Sequence, residues 1–248
     1  MDIYRDFAHV YDDFIDAPYE DWADYIEEIW RAHGAAPKLV LDLACGTGNL
    51  THVLAGRGYD MIGVDASAEM LSVAAQKGTG ILFLHQDMRS FELYGTVDAI
   101  ICMCDSLNYL KDPADLSRVF ALAHNYLNPG GLFVFDINSR HKYQNMLADN
   151  IFAGTDENAA YIWENCYDPQ SKINEYYITF FVKDGDGAFY RRFEEAHLQR
   201  AYGADEIKSA LAGADLEYLA HYGELTFDAP KPDDARIFFV TRKGEYKN

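Results

Sequence analysis

The chain has 248 residues, 49 % of them hydrophobic, which is enough for one large domain with a sizeable core. Its 40 Asp and Glu outnumber 21 Lys and Arg, and the formal charge of −19 disfavours nucleic acid as a partner, because nucleic acid binding depends on basic side chains that neutralise phosphates. No apolar stretch approaches the roughly 18–20 residues of a membrane span, and the acidic N-terminus lacks the pattern of a signal peptide. We therefore expect a cytoplasmic protein whose four cysteines are reduced thiols that bind no metal.

Helices and apolar strands alternate along the first part of the chain. The pattern predicts helices at 21–33, 48–57, 68–77 and 115–127, and strands at 39–43, 61–64, 81–84, 97–103 and 132–137. An Asn-Pro-Gly-Gly turn at 128–131 is predicted to precede the last of these strands. Alternation of this kind implies right-handed crossovers and a parallel sheet that helices cover on both faces.

The pattern changes after about residue 150. Segments rich in aromatic and β-branched residues lie at 161–167, 172–183 and 188–201, and the last two flank an Asp-Gly-Asp-Gly turn signal at 184–187. The first pattern then returns with a helix at 204–212 and strands at 216–222 and 236–242. We therefore predict an α/β domain built from residues 1–150 and 202–248, with an antiparallel β insertion at 151–201.

The stretch at 39–48 has the features of a cofactor-binding loop. An apolar run ends in Asp42, turns through Gly46 and Gly48 and enters a helical pattern. Glycine lacks Cβ, so a ligand can approach the main chain closely, and the N–H groups at a helix start are free to bind it. A dinucleotide fingerprint needs a third Gly or Ala, and here that position is Thr51. Asp42 also suits a ligand with an ammonium group better than a diphosphate.

Several segments at consistent spacing resemble the class I S-adenosylmethionine-dependent methyltransferases. Residues 40–48 resemble the first family motif. Asp65 ends the next strand, where an acid can accept hydrogen bonds from the ribose hydroxyls of either S-adenosylmethionine or NAD. His-Gln-Asp-Met-Arg-Ser-Phe at 85–91 resembles the adenine-binding segment, and residues 98–110 resemble the segment that follows. The resemblance covers about 38–137 well and 204–242 more loosely. It implies a Rossmann-like fold whose seven-stranded, mostly parallel sheet has helices on both faces and a reversed last strand.

The resemblance also implies S-adenosylmethionine as cofactor and assigns its contacts. In the family, the acid at Asp87 meets the adenine amino group, the backbone at Met88 reads a ring nitrogen, and Met70 covers the ring. A carbonyl at Cys102 or Met103 binds the methionine part. The cofactor-binding residues so implied are Tyr11, Asp42, Ala44, Cys45, Gly46, Thr47, Gly48, Asp65, Ala66, Met70, Gln86, Asp87, Met88, Cys102 and Met103.

The leader at 4–12 is similar to that of small-molecule methyltransferases, including amino-sugar N-methyltransferases. In those enzymes it lies over the cofactor, and a tyrosine approaches the cofactor's carboxylate or sulfonium. Tyr11 is the first candidate for this role and Tyr4 the second. The acceptor is then a small molecule with an N or O nucleophile.

Methyl transfer from a sulfonium is an in-line displacement in which the enzyme mainly supplies proximity, and a base that removes a proton from the acceptor helps. His197 is the candidate base, since a histidine titrates near neutral pH. In a strand, His197 and Gln199 share one face and Arg200 points to the other. The acceptor-pocket candidates are Tyr4, Tyr109, Asn138, His141 and Arg200.

Two alternatives belong to other functional classes. An NAD-type oxidoreductase on a similar fold would need the third glycine and a separate catalytic domain. A non-catalytic module that binds S-adenosylmethionine is also compatible with the sequence, because no single side chain is indispensable to methyl transfer.

Overall fold

The computed structural model describes residues 12, 17–155, 157–184 and 189–245. Apolar runs form the strands of its first part, and segments with one apolar face form the helices. In chain order these are α1 (Tyr19–Ala32), β1 (Leu39–Leu43), α2 (Asn49–Gly56), β2 (Asp60–Asp65), α3 (Ala68–Gln76), β3 (Leu82–His85), β4 (Val97–Cys102), a 3-10 turn (Ser106–Tyr109), α4 (Pro113–Tyr126) and β5 (Leu127–Asn138).

The second part contains the insertion and the return to the first pattern. A turn of π-helix (Lys142–Leu147) leads to β6 (Ile151–Thr155), β7 (Ala159–Asp168), β8 (Ile173–Asp184) and β9 (Phe189–Arg200). After these come α5 (Ala204–Gly213), β10 (Leu216–Gly223) and β11 (Arg236–Lys243). Strand β6 is short and mostly exposed, and the sequence did not mark it as a separate strand.

The larger sheet has seven strands in the order β10-β11-β5-β4-β1-β2-β3. The pairings among β1 to β5 are parallel, and β11 alone runs antiparallel to its neighbours β5 and β10. The predicted Rossmann-like sheet with a reversed last strand is therefore confirmed. The strand order reverses between β1 and β4, and ligands of such sheets bind outside the carboxyl ends at this switch point.

Both faces of this sheet are covered, as the apolar character of its strands predicted. Successive strand residues point to opposite faces. Val40 and Ile101 therefore pack in the core beneath α1 and α2, whereas Leu41 and Ile100 pack in the core beneath α4 and α5. Among the described residues, no helix is both long enough and apolar enough to cross a membrane.

The smaller sheet is antiparallel, in the order β6-β7-β8-β9. It begins at Ile151 and ends at Arg200, close to the predicted limits of the insertion. The division of the chain into a domain and an insertion stays a prediction. Most of the predicted turn at 184–187 lies outside the described residues, but the pairing of Asp184 with Phe189 joins β8 and β9 directly across it.

The turn predicted at 128–131 is wrong, because these residues form a bulge in the structure. Residues 128–131 do not precede β5 but lie within it as a bulge. Val97 pairs with Leu127 and Ala99 pairs with Leu132, so the four residues between leave the ladder. Gly130 takes a φ of +78° there, a conformation that glycine adopts without strain.

Candidate active site

A cavity of about 1480 Å³ opens where the parallel strands of the larger sheet end. The loops after β1, β2 and β3 line one part of it, and the inner face of the smaller sheet lines another. A ligand pocket commonly measures about 300–1000 Å³. The cavity therefore has room for two ligands side by side.

The loop after β1 takes three left-handed residues to turn into α2. Ala44, Gly46 and Gly48 have φ values of 62°, 55° and 72°. The two glycines serve different purposes. A Cβ on Gly46 would meet nothing within 4 Å and would project into open space, whereas a Cβ on Gly48 would lie 3.0 Å from the Ala74 Cβ. Gly46 lines the cavity, and Gly48 lets α2 pack against α3.

The Asp42 carboxylate lies beneath this loop and is 3 % exposed. The Thr51 hydroxyl donates a hydrogen bond of 2.6 Å to it. Burial raises the pKa of Asp42 to about 7, against the effect of the Thr51 hydrogen bond and with a further contribution from Asp65. Thr51, the residue that breaks the dinucleotide fingerprint, thus has a structural role as the donor to this acid.

Asp65 joins the loops that follow β1 and β2. Its carboxylate accepts hydrogen bonds of 2.9 Å from the Gly46 N–H and 2.8 Å from the Ser67 N–H. Burial raises the pKa of Asp65, although these backbone donors oppose the rise. The acid therefore fixes the glycine loop against the start of α3.

Asp12 holds the end of the leader against the same loop. It accepts hydrogen bonds from Thr47 Oγ1 at 2.7 Å and from Asn49 Nδ2 at 2.8 Å, and it pairs with Lys77 Nζ at 2.6 Å. Burial opposes ionisation of Asp12, but the hydrogen bonds from Lys77, Thr47 and Asn49 outweigh it and hold its pKa below the ordinary value. Tyr4 and Tyr11 lie outside the described residues.

The segment after β3 closes another side of the cavity. Gln86, Asp87 and Met88 line it, opposite the 2 % exposed Met70 of α3. Arg89 Nε lies 2.9 Å from Asp87 Oδ1 and 3.1 Å from Oδ2, and these hydrogen bonds lower the pKa of Asp87. The Arg89 backbone N–H and Nη2 also donate to this carboxylate, so a ligand amino group would share its two oxygens with Arg89.

The chain is strained where it leaves β4. Cys104 and Asp105 are consecutive non-glycine residues with φ of 61° and 51°. The Asp105 N–H donates to Asp136 Oδ2 at 3.0 Å, and the Asp105 carboxylate accepts from Arg236 Nη2 at 2.9 Å. Strain of this kind persists where surrounding contacts enforce it, and it concentrates at functional sites.

Arg236 of β11 connects its own strand to β5 and to the turn after β4 at the cavity. It bonds Asp136 as well as Asp105, and its guanidinium lies 5.4 Å from the Trp22 ring centre. Asp136 is fully buried, which raises the pKa of its carboxyl, and Arg236 opposes that rise. The arginine therefore keeps two carboxylates together in a largely apolar setting.

Gln199 of β9 joins the smaller sheet to this cluster. Its amide nitrogen donates to Asp105 Oδ2 at 2.7 Å, and its oxygen accepts from Tyr143 at 2.8 Å and from Tyr176. Burial raises the pKa of both phenols well above the ordinary value, so they remain neutral donors. The network fixes the smaller sheet over the carboxyl edge of the larger one.

His197 lies on the same face of β9 as Gln199, as its spacing predicted. Its Nδ1 is 3.3 Å from the Tyr109 hydroxyl, and its Nε2 is 3.1 Å from Glu195 Oε2. The His197 and Glu195 side chains are 2 % and 7 % exposed, and Tyr109 lines the cavity. The Tyr109 phenol and the His197 imidazole thus line the cavity, and the buried Glu195 carboxylate lies behind them.

Comparison with known proteins identifies the family. A methyltransferase-domain family model matches residues 40–131. The putative methyltransferase YqeM of Bacillus subtilis is 37 % identical over 98 % of both chains. An S-adenosylmethionine-dependent methyltransferase from Clostridium acetobutylicum, of known crystal structure, superposes with a TM-score of 0.88 at 36 % identity, covering 97 % of this chain and 99 % of its own. The chain belongs to the S-adenosylmethionine-dependent methyltransferases.

The assignment decides between the alternatives that the sequence left open. The methyltransferase is an enzyme and uses S-adenosylmethionine, so the interpretations as an NAD-type oxidoreductase and as a non-catalytic module are wrong. A relative whose substrate is named is the dTDP-3-amino-3,4,6-trideoxy-alpha-D-glucopyranose N,N-dimethyltransferase of Streptomyces venezuelae, 30 % identical over 86 % of this chain and 92 % of its own.

The cavity of the methyltransferase contains most of the predicted site residues. Those that line it are Asp42, Ala44, Cys45, Gly46, Thr47, Asp65, Ala66, Met70, Gln86, Asp87, Met88, Met103, Tyr109, Asn138 and His197. The described candidates that do not line it are Gly48, Cys102, His141 and Arg200. Cys102 is fully buried in β4, and Arg200 turns outward to contact Glu206 and the Tyr202 ring.

Some residues of the site carried weak signals or none in the sequence. Glu195 shares the alternation of His197 and Gln199, and Asp105 follows the end of a predicted strand. Arg236 had no signal, because it is 100 residues from Asp136 along the chain and meets it only through the pairing of β5 with β11.

Proposed function

We propose that this methyltransferase transfers a methyl group to a nitrogen or oxygen of a small molecule held between the glycine loop and the smaller sheet. The observation that carries the proposal is the one cavity that His197, Tyr109 and the glycine loop all line. A cavity under a four-stranded sheet suits a small acceptor. The substrate of the Streptomyces relative, an amino sugar, supports an acceptor of this size. The net charge of −19 makes nucleic acid an unfavourable acceptor.

The residues around the glycine loop fit the cofactor. Gly46 leaves room for a ligand against the main chain, and the two acids beside it, Asp42 and Asp65, suit an ammonium group and ribose hydroxyls respectively. Met70 and Met88 offer apolar surfaces to a ring, and Asp87 offers an acceptor to its amino group. When bound, S-adenosylmethionine supplies a methyl group that is already activated on a sulfonium.

The acceptor side of the cavity supplies orientation and proton transfer. The aromatic side chains of the smaller sheet enclose the acceptor and exclude water from it. His197 is placed to take up the proton that the nucleophile loses. Free thiols at all four cysteines are consistent with a reducing compartment such as the cytoplasm.

A methyl-transfer screen tests the proposal. Purified protein is incubated with radiolabelled S-adenosylmethionine and panels of amines, amino sugars and phenols. We expect labelling of at least one small molecule, and a loss of about 10²–10⁴ in kcat for it in His197→Ala, the usual contribution of a general base. His124→Gln, in α4, is the control and should keep normal turnover. Labelling confined to added protein or nucleic acid contradicts the proposal.

Cofactor binding is expected to depend on pH through Asp42. Burial raises the pKa of Asp42 from the ordinary 3.8 to about 7, so this group stabilises the free protein below pH 3.8 and loses that contribution as pH rises through 7. An ammonium ligand needs the ionised form. Binding of S-adenosylmethionine should therefore tighten about tenfold from pH 6 to pH 8. Calorimetry at three pH values measures this, and an equally steep dependence in Asp42→Asn excludes Asp42 as the titrating group.

A further inference from the structure

The neighbours of His197 indicate which of its two ring nitrogens carries the proton. Glu195 Oε2 lies 3.1 Å from His197 Nε2, and the negative charge of an ionised carboxylate beside Nε2 favours the tautomer of His197 that carries its proton there. Nδ1 is then an acceptor, and the Tyr109 hydroxyl lies 3.3 Å from it. Tyr109 can therefore donate to His197, whose Nε2 proton lies beside the Glu195 carboxylate.

The three residues differ in how far their side chains are exposed, and this indicates different roles. His197 and Glu195 are 2 % and 7 % exposed, whereas Tyr109 is half-buried on the cavity wall. The Tyr109 ring meets the His197 ring edge-on, with centres 5.9 Å apart, and Tyr176 of β8 stands opposite His197 in the strand ladder. The phenol is thus the member of the three that a molecule in the cavity meets first.

We infer that Tyr109, His197 and Glu195 form a proton relay in which the Tyr109 oxygen, and not His197, touches the acceptor. The inference rests on the proposed function. A lone pair of the acceptor's nitrogen or oxygen forms the bond to the methyl carbon as the methyl–sulfur bond breaks, and the electron pair of that bond stays on the sulfur of the departing S-adenosylhomocysteine. The acceptor's N–H or O–H bond breaks, and its proton goes to the Tyr109 oxygen. The phenol proton moves to His197 Nδ1. Glu195 stabilises the resulting imidazolium, and the proton later returns to solvent.

This is the arrangement of a reacting group, a base and an orienting acid that recurs in nucleophilic catalysis. Tyr109 is a catalytic residue in it, and Glu195 is a positioning residue that acts through His197. The Tyr109–His197 contact is longer than the usual 2.7–2.8 Å for a hydroxyl donor, and such contacts often tighten only when substrate binds.

The first test needs no acceptor. Nitrogen NMR of ¹⁵N-histidine-labelled protein, with the His197 signal assigned from His197→Gln, reads the tautomer of the neutral ring. We expect one Nε2–H tautomer in the wild type and a mixture in Glu195→Leu. Glu194→Leu, the neighbouring residue on the outer face and 61 % exposed, is the matched control and should leave the tautomer unchanged. An Nδ1–H tautomer in the wild type, or no change in Glu195→Leu, overturns the relay.

The second test uses an acceptor found in the methyl-transfer screen. Tyr109→Phe should lower kcat by about 100-fold or more with little change in the acceptor's KM, because it removes proton transfer and keeps the ring. Tyr94→Phe, fully exposed, is the control. Normal kcat in Tyr109→Phe with loss of kcat in His197→Gln overturns the relay but leaves the proposed function intact. A wild-type enzyme that methylates no small molecule contradicts the proposed function, and the tautomer experiment still decides whether the three residues are coupled.

Discussion

Replacing Arg236 by methionine is expected to lower the free energy of unfolding by about 3–5 kcal/mol. Arg236 bonds Asp136, which is fully buried, and also Asp105 at 2.9 Å. Without the guanidinium, the Asp136 charge remains in an apolar setting with no compensating cation. That uncompensated charge, and not the loss of the contact itself, accounts for most of the penalty. Urea denaturation at pH 8 measures it.

The effect of Arg236→Met should also depend on pH. Burial already raises the pKa of Asp136, and removal of Arg236 raises it further. The variant therefore binds a proton in its folded state that the unfolded chain does not bind, so its deficit should shrink as pH falls toward 5. Adding Asp136→Asn should recover part of the loss at pH 8. Arg118→Met, at an exposed pair within α4, should cost less than about 1 kcal/mol. A variant as stable as the wild type at pH 8 would contradict this account of the cluster.

Gly46→Val is expected to weaken the binding of S-adenosylmethionine by at least tenfold, about 1.4 kcal/mol. Gly46 has a φ of +55°, which a β-branched residue tolerates poorly. Its Cβ would also project into the open space of the cavity where we place the cofactor. Strain and obstruction act together at this one position. Calorimetry with S-adenosylmethionine measures the change.

Gly34→Val separates these two effects. Gly34, just after α1, has a φ of +71° and open space around its Cβ, but it does not line the cavity. The Gly34→Val variant should lose stability as Gly46→Val does, but it should keep its affinity for the cofactor. Asp65→Ala should also weaken binding by at least tenfold, because Asp65 holds the Gly46 N–H at 2.9 Å. Wild-type affinity in both Gly46→Val and Asp65→Ala would show that the cofactor site lies elsewhere.

The cofactor side of the site was predicted from local patterns and stays a prediction, although Asp42, Gly46 and Asp65 line one cavity. Asp42, Gly46 and Asp65 are set by strand–turn–helix segments whose geometry depends on residues near them in the chain. Glycine is required where φ is positive, and an acid at a strand end faces the ligand edge of a parallel sheet. Such features leave a signature within about ten residues, so the family resemblance and the fold could be predicted before any tertiary contact was known.

The acceptor side was predicted only in part. Alternation along β9 placed His197 and Gln199 on one face, and that was confirmed. Arg200 was expected in the acceptor pocket, and the structure instead turns it toward Glu206 of α5. The same alternation that made His197 face inward made Arg200 face outward.

The sequence by itself therefore determined the alternating fold, the glycine loop and the acids that flank it. Only the tertiary structure decided that Arg236 joins Asp105 and Asp136, that Gln199 fixes the smaller sheet to the turn after β4, and that Tyr109 meets His197 at the cavity. The physical reason is separation along the chain. Backbone conformation is set by neighbours a few residues away, whereas these contacts join residues about 90 to 130 positions apart, and they depend on which strands pair and how the second sheet docks.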